Sequence, residues 1–103
     1  MYVLNYWHTT SDFEGWKSMF DSDPLGREAS GVRRLSIERP LDDPSTIIGE
    51  LEFDSLGEAE SFAGRLQEVW SGPASRLVSN TGYRITEVIE QQHFGDESAR
   101  RAA

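Results

Sequence analysis

Residues 47–53 read Ile-Ile-Gly-Glu-Leu-Glu-Phe and, after Asp54, residues 55–70 read Ser-Leu-Gly-Glu-Ala-Glu-Ser-Phe-Ala-Gly-Arg-Leu-Gln-Glu-Val-Trp. The hydrophobic period changes across Asp54. In the first run Ile47, Gly49, Leu51 and Phe53 share one face while Ile48, Glu50 and Glu52 share the other. This is the alternation of a half-buried strand, and its register is well specified because a slip of one residue would expose the apolar set. In the second run Leu56, Ala59, Phe62, Ala63, Leu66, Val69 and Trp70 form one continuous helical stripe. Ser55 stands three residues before Glu58, the spacing at which a hydroxyl accepts from a free N–H of the first turn and the carboxylate reaches back. Gly72-Pro73 ends the helix.

Working outward, residues 32–39, Val-Arg-Arg-Leu-Ser-Ile-Glu-Arg, also alternate, with Leu35 and Ile37 opposed to Arg34, Ser36 and Glu38. The turn formers from Pro40 to Thr46 join the two strands as a β-hairpin with a longish loop. Tyr2 to His8, rich in aromatic and β-branched types, reads as a first strand. Ser11 and Glu14 repeat the capping pattern, and Phe13, Trp16, Met19 and Phe20 fall on one face of a first helix. Pro24 is expected to restart the chain as a short helical piece through Ala29, stopping near Gly31. Downstream, residues 73–83 read as an irregular or partly helical connection and Arg84 to Gln92 as a fourth strand through Ile85, Val88 and Ile89. The order β-α-β-β-α-β is a split βαβ: an α+β, ferredoxin-like domain with a four-stranded antiparallel sheet. Residues 1–94 are expected to form this one domain, and 95–103 a frayed tail.

Composition narrows the function. A chain of 103 residues supports one domain and no large private catalytic chamber. Without cysteine there is no disulfide, zinc–thiolate site, iron–sulfur cluster or thiol nucleophile, and two histidines leave little for a metal cluster. The expectation is a protein with neither metal nor cofactor. Ten Lys+Arg against 18 Asp+Glu, a net charge of -8, disfavour phosphate backbones and anionic lipid, so neither nucleic acid nor membrane is an expected partner. No basic leader precedes Tyr2-Val3-Leu4 and no apolar run approaches a membrane span, which predicts a soluble, cytoplasmic protein. No phosphate loop, dinucleotide fingerprint or nucleophile elbow is present.

Right-handed crossovers place both helices on one side of the sheet. The other side is expected to carry Val32, Arg34, Ser36, Ile48, Glu50, Glu52, Thr86, Val88 and Glu90. Asn5 and Trp7 join them, since Leu4 and Tyr6 suit the helices better. Such a face is too apolar to stay wet and too polar for a core. Two copies packed face to face resolve the conflict, giving a homodimeric α/β barrel around a semi-polar lumen. The alternative is a monomeric open-faced sandwich.

A first strand bearing His8, then Asp12-Phe-Glu-Gly-Trp16 and Phe20-Asp21, Gly31 before the second strand, Asp42-Asp43-Pro44, Phe53-Asp54, and Glu58-Ala59 with Phe62 and Leu66, together resemble the dimeric α/β-barrel superfamily. The likeness spans residues 2–92 and is nearest to uncharacterised cyclase-like and antibiotic-biosynthesis-monooxygenase-like proteins. It implies cofactor-independent oxygenation or cyclisation of a small aromatic or polyketide-like molecule. The alternative is a non-catalytic dimer that binds a ligand or supports a partner. Haem-degrading members use an Asn on the first strand, a Trp at the second helix and an axial His just beyond it. Asn5 and Trp70 match, but residues 71–83 hold no histidine, which argues against haem unless His8 or His93 takes the iron ligand's role.

Within that likeness, His8 suits a general base, since a neutral imidazole can take a phenolic proton. The competing view is a strand-end histidine hydrogen-bonded to the next loop. Arg34 suits an anion holder, or an ion pair to Glu50 or Glu52. Asn5 and Trp7 suit orienting a ring, and Glu52 completes the candidate ligand-binding set. Trp16, Phe20, Phe62, Leu66 and Trp70 carry core spacing and are read as packing residues.

Overall fold

A computed structural model describes residues 1–95. The elements run β1 (Tyr2–Thr9), α1 (Phe13–Asp21), β2 (Arg34–Glu38), β3 (Thr46–Phe53), α2 (Leu56–Ser71) and β4 (Ser79–Glu87). All strand pairs are antiparallel, in the order β2-β3-β1-β4. This is the ferredoxin-like arrangement, in which each helix returns the chain to the sheet beyond its neighbour.

The core lies between the sheet and α2. Leu4, Tyr6, Leu51 and Phe53 from β1 and β3 meet Ala59, Phe62, Ala63 and Trp70 of α2, with Phe53 against Phe62 at 5.6 Å. Each large side chain removed from water here contributes about 1.5–3 kcal/mol. Tyr6 and Gly49 are cross-strand partners, and Gly49 leaves the space its neighbour's ring occupies. Val32 packs against this core ahead of β2, not on the open face where alternation placed it, because regular pairing starts only at Arg34.

Three further expectations are corrected. Asp12, not Ser11, caps α1, its Oδ1 accepting from Gly15 N at 2.9 Å, so the helix opens one residue later than the Ser11–Glu14 pattern implies. Residues 24–29 form turns and no helix, since Asp23 (φ 54°) and Gly26 (φ 57°) are in the left-handed region that breaks one. Finally β4 begins at Ser79 and ends at Glu87, so Ile89 lies beyond it, 90% exposed, and Glu90 is off the sheet. Pairing with β1 decides this: Val3 meets Thr86, Asn5 meets Arg84 and Trp7 meets Gly82. Ser55 caps α2 as expected, accepting from Glu58 N at 3.2 Å. Of the anticipated tail, 96–103 lies outside the described residues. No helix among the described residues is long and apolar enough to cross a membrane.

Candidate functional site

Strand alternation fixes what β1 offers to each side. Leu4, Tyr6 and His8 point toward the helices and are buried, while Val3, Asn5 and Trp7 point away. His8 therefore stands under the helices, on the far side of the sheet from the other four candidate residues. It lies where the β1–β4 register shifts, between the pairs Trp7–Gly82 and Thr9–Ser79. An irregularity of this kind re-aims side chains and interrupts pairing.

Beside His8 is a cavity of about 70 Å³, with Tyr6, Trp16, Phe20, Leu66 and Trp70 among its walls and the turn containing Asp23, Leu25 and Arg27 along its edge. The imidazole is enclosed by rings: Tyr6 stacked at 5.9 Å and 13°, Trp16 tilted at 5.3 Å, and Trp70 edge-on at 6.4 Å. It is 1% exposed, and neither Nδ1 nor Nε2 has a hydrogen-bond partner among the described residues. A strand-end histidine bonded to its loop is thus not what the fold presents.

Burial lowers the His8 pKa from 6.5 to about 4; the Thr9 backbone opposes this in part, from outside hydrogen-bonding geometry. The ring is neutral near pH 7 and carries one donor and one acceptor. Burial likewise raises the Tyr6 phenol well above its usual range, with Arg27 opposing. The cavity's polar groups are few and set in aromatic walls, the composition of a small-molecule site.

The other candidates share the open face. Arg34 Nε pairs with Glu52 Oε2 at 3.0 Å, the structural ion pair weighed against the anion-holding role. Asn5 Nδ2 donates to Thr86 Oγ1 at 3.3 Å across the β1–β4 pair. The Trp7 indole lies against Gly82 and is 37% exposed. A more polar pocket of about 220 Å³ runs beside Arg34, Ser36, Glu50, Glu52 and Val88. The sheet divides Asn5, Trp7, Arg34 and Glu52 from His8, so the five do not converge on one ligand.

The same division bears on haem. Asn5 and Trp70 lie on opposite faces, and no histidine follows α2 up to Tyr83, so the residues present do not fit that group. No group of three or more His, Cys, Asp or Glu side chains among the described residues is placed to hold a metal.

Sequence reasoning missed the walls. Trp16, Phe20, Leu66 and Trp70 do pack the interior, but they also border the cavity, and helical spacing cannot distinguish the two roles. Tyr6 and Arg27 were not singled out. One signal was available: once Leu4 and Tyr6 are assigned to the helices, His8 must follow them, two residues on.

No family model and no curated protein matches the chain. Solved structures do. A candidate antibiotic biosynthesis monooxygenase from Deinococcus radiodurans superposes with a TM-score of 0.70 at 14% identity, covering 93% of this chain and 100% of that one. A MhuD mutant solved with two manganese protoporphyrin IX bound per active site gives 0.69 at 12%, covering 91% and 100%. A dimeric ferredoxin-like protein from an uncultured marine organism gives 0.64 at 14%, covering 91% and 100%. The chain shares the ferredoxin-like fold of these structures.

Proposed function

We propose that this protein binds a small aromatic or polyketide-like molecule between helices and sheet, with His8 at the polar end of the site, and acts on it as a cofactor-independent monooxygenase or cyclase. One observation carries the binding: a fully buried imidazole whose two nitrogens have no partner among the described residues, beside an aromatic-walled cavity. A buried donor and acceptor without partners cost free energy, and a ligand hydroxyl or carbonyl satisfies one of them. Flat apolar rings between Trp16, Trp70 and Tyr6 supply the rest of the affinity.

The chemistry follows from the same group. His8 accepts the hydrogen bond of a bound phenol, and its burial-lowered basicity makes complete proton transfer uphill. A phenolate formed against the ring is an opposite charge at hydrogen-bond distance, which raises the imidazole pKa and lowers that barrier. The electron-rich phenolate is the form that reacts with dioxygen, the oxidant: one oxygen atom enters the ring as the new quinone carbonyl and the other leaves with the two displaced hydrogens as water.

The open face has a different part in this reading. It packs against a second copy, burying Trp7, Ile48 and the Arg34–Glu52 pair, with Asn5 in the lumen. An exposed indole beside branched aliphatics supports this, as does the likeness to a protein described as dimeric.

The test is turnover of a dithranol-like phenol under oxygen, read by quinone absorbance. The parent is expected to turn over and His8→Ala to lose roughly a hundredfold or more in rate. Binding without turnover in the parent favours the non-catalytic ligand-binding alternative. Turnover unaffected by His8→Ala would exclude the histidine from the reaction.

A further inference from the structure

Among the described residues, Arg27 is the one Lys or Arg side chain bordering the cavity. Its guanidinium carbon lies 4.0 Å from the Phe20 ring centroid, Phe20 stacks on Trp16 at 5.2 Å, and Trp16 borders His8 at 5.3 Å. A row of side chains thus runs along the cavity from a cation at its edge to a neutral imidazole at its inner end.

The cation is held but not saturated. Nε pairs with Asp23 Oδ1 at 3.2 Å and Nη1 donates to the Phe20 carbonyl at 3.2 Å, whereas Nη2 makes no hydrogen bond among the described residues. The Asp23 carboxylate is itself engaged by the Arg27 backbone N–H at 2.9 Å. Arg27 has a side chain only 23% exposed, so a charge-assisted bond to it is stronger than one made in open water. A planar guanidinium fixed by two bonds holds Nη2 in place without further ordering, and an N–H there can donate a charge-assisted bond to one carboxylate oxygen.

We infer that the site takes an aromatic carboxylate: a flat ring system whose carboxylate accepts from Nη2 of Arg27 and whose hydroxyl or carbonyl, at the other end, meets His8. This rests on the ligand reading above and narrows it. On a chain of net charge -8, an anion needs such a local cation to be accepted at all. Bracing the turn uses Nε and Nη1; the free Nη2 and the place on the cavity wall are what point to a ligand.

Calorimetric titration of the full chain with 6-hydroxy-2-naphthoate and with its neutral amide, 6-hydroxy-2-naphthamide, tests the inference. The acid is expected to bind about tenfold tighter than the amide. Arg27→Gln should abolish that preference, and Arg27→Lys should recover part of it. Equal binding of acid and amide by the parent defeats this inference and leaves the ligand reading intact. Equal weakening of both by Arg27→Gln makes Arg27 a brace for the turn, and also overturns it. Binding of neither probe removes the ligand reading and this inference with it.

Discussion

His8 links stability to pH in a way that few other residues of this chain can. Enclosed by Tyr6, Trp16 and Trp70, it protonates near pH 4 in the fold and near 6.5 when unfolded. Between those values the unfolded chain binds the extra proton. The contribution is therefore complete above pH 6.5, shrinks as pH falls and is lost below about 4. Its full size is about 3 kcal/mol, of which about 2 kcal/mol is gone by pH 5. Urea midpoints measured from pH 7 to 5 should fall in the parent and stay level in His8→Leu; equal slopes would contradict the enclosure. As a candidate His8 was legible, because a histidine ending an aromatic strand is conspicuous. Its unpartnered nitrogens were not, since a missing hydrogen bond depends on what α1 and α2 bring over it.

At the scale of elements, local chemistry decides where each begins. Asp12 caps α1, so Asp12→Ala should lower stability by about 1 kcal/mol and Ser11→Ala by much less, as read by denaturant midpoints. In β3, a Cβ at Gly49 would collide with the Tyr6 ring. Gly49→Ala should cost about 1–3 kcal/mol and displace Tyr6, weakening ligand binding along with stability. Both Ser11 and Asp12 are capping types, and sequence alone does not choose between them. β3 and α2 were fully legible because a two-residue and a helical period each have one solution there. The start of β4 was not: Ser79-Asn-Thr-Gly82 is turn chemistry, and only pairing with β1, over which Trp7 covers Gly82, makes it a strand. The turns after Asp23 were misread for the opposite reason. Pro24 opens a helix well in isolation, but the positive φ on either side of Pro24-Leu25 forbids its extension.

The molecule as a whole has two unlike surfaces on one sheet, an aromatic cavity under the helices and a mixed face on the other side. The mixed face predicts a dimer at micromolar concentration by sedimentation. Trp7→Glu, which would bury a carboxylate in that interface, should yield monomers, and a parent that is itself monomeric would contradict the assembly. The order of elements and the division of the sheet into two faces were legible from alternation. The candidate site was legible only in part, because the residue types that suit a phenol were scattered over both faces and only the sheet's orientation separates them. The three tryptophans report on that separation, Trp16 and Trp70 beside the cavity and Trp7 opposite. Nitrogen-15 NMR of the protein titrated with 6-hydroxy-2-naphthamide therefore bears most directly on where the ligand goes. The His8 ring nitrogens and the Trp16 and Trp70 indole signals should shift saturably together while Trp7 stays still; a shifted Trp7 with His8 unmoved would place the site on the wrong side of the sheet for this account.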